Sequence, residues 1–346
     1  GGGFDYPNDP NRGDVHYWEV WHGNKPFTEY RQFYFRYLSE FGFQSFPSMK
    51  TIEKFTLPED RNVFSYIMEK HQRNAAANGK IMNYMEQTFL YPNSLDTLVY
   101  ASQLLQAEAI RYGVEHFRRN RGRCMGTVYW QLNDCWPVAS WASIDYYGRW
   151  KALHYFAKRF FAPVMVSCEE EGLLTQSLNV NAEPFDVKKS IKLNVTNETM
   201  EKKTGMVSWQ LRDASGNILK EKEETISVDP LSAVWLEKTN MPDAKLYENY
   251  VSFKFTSEGE TVSCGTVLFC APKHFRFRDP ELKVSVNGDE ITVSASAYAK
   301  SVEIRNENDD LVLSDNFFDL NADSKTVKII SGKADGITVR SVYDIR

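Results

Sequence analysis

Phe33-Tyr34-Phe35-Arg36-Tyr37-Leu38-Ser39-Glu40-Phe41-Gly42-Phe43-Gln44-Ser45 begins as an apolar, aromatic run and ends on a carboxylate, a glycine and a polar turn. Its first half has the composition that fills a buried parallel strand. A charged residue at the C-terminal end of such a strand is costly to place unless the site uses it. In a (β/α)8 barrel that end is the catalytic face. The residues alone leave Glu40 two readings, a solvated strand-end carboxylate in an ion pair or a catalytic group.

Two neighbouring stretches share the pattern. Upstream, Asp14-Val15-His16-Tyr17-Trp18-Glu19-Val20-Trp21-His22-Gly23 reads as a buried strand running into a loop rich in aromatic and imidazole groups. Downstream, Met125-Gly126-Thr127-Val128-Tyr129-Trp130-Gln131-Leu132-Asn133-Asp134-Cys135-Trp136-Pro137 reads as another strand with an aromatic end. Between them, residues 94–120 predict a long helix: Leu95, Leu98, Val99, Ser102, Leu105, Ala109 and Tyr112 trace one stripe. His116 is expected to pack at its end, Arg118, Arg119 and Arg121 suit its C-terminus, and Gly122 stops it. Residues 49–55 predict a short helix capped by Ser48, and 150–160 a further helix with Trp150, Leu153, Phe156, Ala157 and Phe160 inward. Residues 4–13 and 62–90 read as irregular, with Asn74-Ala75-Ala76-Ala77-Asn78-Gly79 as a loop over the active face.

The quoted stretches carry a resemblance. Ser39-Glu40-Phe41-Gly42-Phe43-Gln44-Ser45 resembles the nucleophile motif of the β-mannosidases, in the glycoside hydrolase family 2 that also holds β-galactosidase and β-glucuronidase. The 14–23 run is similar to the segment those enzymes carry just before the nucleophile strand, and Trp130-Gln131-Leu132-Asn133-Asp134 resembles their last barrel strand. The resemblance implies Glu40 as nucleophile. It implies Trp130 as floor of the sugar site, often through a cis peptide to the next residue, and His22, His16 and Trp21 as further substrate-site residues. Aromatic faces beside hydrogen-bonding groups suit a sugar. Glu19 is read as structural, because the family's acid/base lies in a Gly-Asn-Asn-Glu-like motif that these 346 residues lack.

From Pro163 onward the composition shifts to β-branched alternation with frequent turn signals, which predicts two Ig-like sandwiches. The expected architecture is therefore multidomain, α/β plus all-β. The C-terminal portion of a (β/α)8 TIM barrel (strands six to eight) occupies 1–162, an Ig-like β-sandwich 163–272 and a second one 273–346. An Asn287-Gly288 hairpin turn lies in the last of these. The chain opens on Gly1-Gly2-Gly3-Phe4, without a Met, and is read as a piece of a longer protein.

Net charge is −5 with no basic patch, against nucleic-acid binding, and no apolar run approaches a membrane span. The five cysteines have no metal-ligand spacing. The function implied is an exo-acting, retaining β-mannosidase that removes terminal β-D-mannose from glycans, needing no cofactor or metal. The acid/base would come from the upstream N-terminal part of the polypeptide. An open wedge of barrel exposes apolar edges, so that upstream part, or self-association such as a homodimer, is expected to cover them. The alternatives are another family 2 specificity (β-galactosidase, β-glucuronidase, exo-glucosaminidase) or a non-catalytic carbohydrate-binding or scaffold module. A periplasmic or secreted bacterial setting is favoured, with cytoplasmic and lysosomal ones left open.

Overall fold

The computed structural model describes residues 9–175 and 185–346, so the loop reading of 4–13 falls partly, at 4–8, outside the described residues. Three strands, β1 (Val15–His16), β2 (Leu38–Gly42) and β3 (Thr127–Trp130), form one parallel sheet in that order. Parallel neighbours need long crossovers. From β2 to β3 the chain passes through α1 (Met49–Ile52), α2 (Tyr66–Lys70), α3 (Ala77–Thr88) and α4 (Leu95–Arg119), and α5 (Ala152–Phe160) follows β3. Ser48, Ser65 and Ser94 cap α1, α2 and α4, each side chain accepting from a backbone N–H of the first turn.

α3 corrects the irregular reading of 62–90. Ala77, Ile81, Tyr84 and Met85 bury one face of a helix of 12 residues, and the polar residues between them hide the stripe. Asn74-Ala75-Ala76 lead into this helix, and Asn78 is buried, donating to the Val63 carbonyl and accepting from Gln72. His116 packs as expected near the end of α4, buried and 2.7 Å from the Phe33 carbonyl.

β2 carries a bulge. Leu38 and Glu40 face consecutive residues of β1, and Leu38 and Phe41 face Thr127 and Tyr129 of β3, so β2 holds one extra residue against both neighbours. The offset lets Leu38 and Phe41 both enter the core while Glu40 stays partly exposed. Behind the sheet, α4 comes close because residue 113 is glycine: a Cβ there would stand 2.9 Å from the Phe41 ring.

The remainder forms two antiparallel sandwiches. In the first, β4 (Val164–Glu171), β5 (Ser190–Asn197), β8 (Ser232–Trp235) and β9 (Thr239–Asn240) face a sheet of β11 (Glu260–Leu268), β10 (Asn249–Ser257), β6 (Lys203–Asp213) and β7 (Ile218–Val228). β7 was not expected from sequence. It is an edge strand whose Lys220-Glu221-Lys222-Glu223-Glu224 run is exposed, the charged edge that blocks further strand addition. In the second, β12 (Lys283–Asn287), β13 (Glu290–Ser294), β15 (Val312–Leu313) and β17 (Ser324–Ser331) face β14 (Tyr298–Arg305), β16 (Phe318–Asn321) and β18 (Thr338–Arg340). Gly288 sits at φ +62° in the tight turn from β12 to β13.

The first sandwich has its own core around Trp209, Phe253 and Phe255, whereas the core of the parallel sheet and helices continues into the second sandwich through Phe317, Phe318 and Leu320. Buried charges join the units. Arg31 contacts Glu170 of β4 at 2.8 Å, and the Tyr112 hydroxyl donates to the same carboxylate at 2.5 Å. Arg111 of α4 contacts Glu108 at 2.6 Å, and Lys300 of β14 reaches Glu108 at 3.3 Å. No helix among the described residues is long and apolar enough to cross a membrane.

Candidate active site

Glu40 lies near the C-terminal end of the central parallel strand, its side chain 25% exposed. The indole Nε1–H of Trp18 donates to Glu40 Oε1 at 3.0 Å, and His16 Nδ1 stands 3.8 Å from the same oxygen. Backbone pairing sets this arrangement. His16 is the β1 residue opposite Glu40, and the Tyr17 N–H donates to the Glu40 carbonyl at 2.9 Å, so the chain that leaves β1 is fastened beside the carboxylate. Past Tyr17 it folds into a turn closed by the Trp21 and His22 N–H groups on the Trp18 carbonyl. That turn brings the rings of Trp18 and His22 to 5.2 Å, with Trp18 between His22 and Glu40.

Trp130 closes β3 and pairs with Gly42. Residue 42 has to be glycine here, since a Cβ would fall 2.4 Å from the Trp130 carbonyl oxygen and 3.0 Å from the rings of both Trp18 and Trp141. The Trp130 side chain is 44% exposed, and the Trp130–Gln131 peptide is cis. Trp141 meets Trp18 edge-on at 5.9 Å. A partly solvated carboxylate, an indole donor upon it, an imidazole at its flank and an open aromatic face thus converge at one end of the sheet.

Partial burial, and next the Lys80 ammonium, push the His22 imidazole below its usual value, against the pull of Glu19. His22 is thereby biased toward the neutral form, able to exchange hydrogen bonds without adding charge. The structure brings Glu40, His16 and Trp130 together and sets His22 one ring away.

Trp21 is a correction. It is fully buried, packed edge-on against Phe43 at 4.8 Å and covered by Lys80 at 5.1 Å, and so has no face to offer a ligand. Its hydrophobic environment under β2 wins over the loop position that suggested exposure. Trp18, three residues earlier, takes the place expected of it, and neither Trp18 nor Trp141 was singled out from sequence. Glu19 folds its carboxylate over Gly23, where a Cβ would lie 2.1 Å from Oε2, and its carbonyl accepts the Lys25 N–H at 2.9 Å, a structural placement.

Residues 189–274 match the family described as Mannosidase Ig/CBM-like domain, and 277–345 match one described as Ig-fold domain. The chain is similar to the β-mannosidase of Capra hircus (38% identical over 182 residues, 49% of this chain and 20% of the relative). It is also similar to β-mannosidase B of Aspergillus terreus (29% over 357 residues, 97% of this chain and 41% of the relative). Among solved structures, the β-D-mannosidase of Dictyoglomus thermophilum superposes with a TM-score of 0.85 at 26% identity, covering 98% of this chain and 41% of that one. An exo-chitosanase of Amycolatopsis orientalis shares the fold, with a TM-score of 0.61 at 16% identity over 88% of this chain and 42% of that one. The chain thus spans between a fifth and about two fifths of the length of the proteins it matches.

Proposed function

With the chain corresponding to the C-terminal part of a glycoside hydrolase family 2 β-mannosidase, we propose that it supplies the nucleophile and the sugar floor of a retaining, exo-acting β-mannosidase. In this reading residues 1–162 are the last three strands of a (β/α)8 barrel, and 163–272 and 273–346 are the Ig-like domains. Ionised Glu40 attacks the anomeric carbon of a terminal β-D-mannose, the glycosidic C–O bond breaks, and a glycosyl ester forms. Water then cleaves the ester with a second inversion. The acid/base carboxyl that protonates the leaving oxygen and deprotonates the water comes from upstream polypeptide and stands about 5–5.5 Å from Glu40. Trp130 carries the sugar's apolar face, while His16, His22 and Trp18 shape its rim. No step calls for a metal or cofactor.

The observation that carries this reading is Glu40 itself, kept partly solvated by a strand bulge and held by Trp18, on the strand that pairs through Gly42 with the exposed Trp130. Exposed apolar groups on and beside β3, Val128 and Leu132, support an upstream segment that completes the sheet. The chain by itself is accordingly expected to lack useful turnover.

The test is a panel of nitrophenyl glycosides offered to the longer polypeptide that carries this chain. The β-mannoside is expected to be the preferred substrate. Preference for the β-galactoside, β-glucuronide or β-glucosaminide would move the protein to a sister specificity. No turnover of any of them, with sugar binding indifferent to Glu40→Gln, would make it a binding module.

A further inference from the structure

The reaction as drawn uses none of the polar side chains buried behind Glu40 and Trp130. Lys151, just before α5, is 1% exposed, and its ammonium donates to the main-chain oxygens of Ser45 and Ser140, at 3.4 Å each. Those two residues already bridge each other, Ser45 N–H to Ser140 O at 3.0 Å and Ser140 N–H to Ser45 O at 3.3 Å. Ser45 continues the strand that carries Glu40, and Ser140 lies on the loop that returns from Trp130. Gln106 of α4, fully buried, grips the same segments. It accepts the Ser45 hydroxyl at 2.7 Å and donates to the carbonyls of Phe43 and Trp141 at 2.9 Å each. From Trp141 the contacts run to Trp18 and on to Glu40. On the Trp130 side, the Asp134 carboxylate accepts the Ser140 hydroxyl at 2.7 Å, and the Gln131 amide reaches the same oxygen at 3.5 Å.

We propose that Lys151 is a positioning residue for the Glu40–Trp130 site, its charge pinning the segment behind one to the loop behind the other. This rests on the reading of Glu40 as nucleophile. A buried, fully desolvated ammonium is costly, and an apolar side chain of the same length would serve packing alone at least as well. What the charge adds is a fixed donor to two carbonyls and a counter-charge for Asp134 and Asp145, the carboxylates that act on it from the loops before and after Ser140. The extension of β2 presents it with a neutral group, the Ser45 carbonyl.

Burial pushes the Lys151 ammonium from its usual 10.5 down to about 8, against the pull of Asp134 and Asp145. Between those values the folded state binds fewer protons than the unfolded chain, so this group does not weaken the fold as pH rises through that window. Buried Cys124 and Cys270, whose thiols burial pushes up, work in the opposite sense, so circular dichroism of the same samples separates a fall in turnover at the site from unfolding.

The test is the pH profile of kcat and KM for nitrophenyl β-mannoside in the longer polypeptide, as wild type, Lys151→Arg and Lys151→Met. Wild-type kcat should fall above pH 8 with KM nearly constant. Lys151→Arg, which keeps its charge, should move that limb up by about one pH unit or more, and Lys151→Met should lose about tenfold in kcat at pH 7 and show no limb near 8. A Lys151→Met enzyme with wild-type kcat and the same alkaline limb overturns the inference. If both variants fail to fold, lysine-selective carbon-13 NMR of the wild type decides: one lysine should titrate near pH 8 together with an indole N–H, and its absence overturns the inference. Turnover that survives Glu40→Ala would sink the underlying reading as well. Loss in Glu40→Ala beside unchanged Lys151→Met would sink the positioning role alone.

Discussion

Glu40→Ala in the longer polypeptide is expected to lower turnover of an activated β-mannoside by on the order of 10⁴-fold or more, with azide restoring a large part of it. The carboxylate is the group that forms the covalent bond in the proposed reaction, so its loss removes the attacking atom while the sugar floor stays. Its surroundings should survive, because Trp18 is held by ring contact with Trp141 and His22 and by its carbonyl, not by Glu40 alone. Azide can enter the space the side chain leaves and attack from the same side. One inversion then replaces two, and the product should be the α-mannosyl azide, identifiable by proton NMR. A variant that keeps more than about a tenth of wild-type turnover moves the nucleophile elsewhere.

The second large effect concerns stability. Arg31→Met should destabilise the fold by about 3–5 kcal/mol, because it leaves the buried Glu170 carboxylate without its ion-pair partner, with the Tyr112 hydroxyl as its remaining donor. Arg31 reaches both the carboxylate and the carbonyl of Glu170 from the turn before β2, and lies over the Tyr112 ring. The double variant Arg31→Met/Glu170→Leu should recover most of the loss, since two apolar groups replace the pair without stranding a charge. Denaturant midpoints of the three proteins measure this, and a double variant as unstable as the single one would show the pair itself to be needed. The same network sets an acid limit. Burial raises Glu108, but Arg111 and Lys300 outweigh it and hold the carboxyl at about 2, and Glu170 is likewise drawn below its ordinary value by Arg31 and Tyr112 against its burial. Carboxylates depressed in the folded state contribute stability above the usual value near 4.5 that is lost as pH falls toward 2. Acid unfolding in that window is therefore expected to separate the sandwich from α4.

The elements legible in the sequence were those whose pattern is local. The α4 stripe from Leu95, its Ser94 cap and its basic end need no partner to be read, and the strand endings at Glu40 and Trp130 announce themselves by a polar residue after an apolar run. Ig-like alternation likewise survives in β5 and β10. Elements defined by tertiary surroundings were not legible. α3 needs Phe43 and Trp21 to bury Tyr84, and without them its Asn-rich start reads as loop. β7 is an exposed edge whose charges contradict strand propensity, and only pairing with β6 makes it a strand. Of the candidate site residues, Glu40 and Trp130 could be singled out because each follows an apolar run near the end of a strand. Whether Trp18 or Trp21 faces the carboxylate depends on a bulge in β2 and a turn after β1. No feature of the residues themselves separates those two tryptophans, and Gln106 and Lys151 look from sequence like ordinary helix and loop residues.

The central claim is that Glu40 becomes covalently bonded to the sugar. Mass spectrometry of peptides from the longer polypeptide, quenched after incubation with 2-deoxy-2-fluoro-β-mannosyl fluoride, tests it directly, since the fluorine slows ester hydrolysis and lets the intermediate accumulate. The account predicts a single fluoromannosyl adduct on the peptide that contains Ser39-Glu40-Phe41, absent from Glu40→Gln. An adduct on another carboxylate, or turnover with inverted configuration and no adduct, would contradict it.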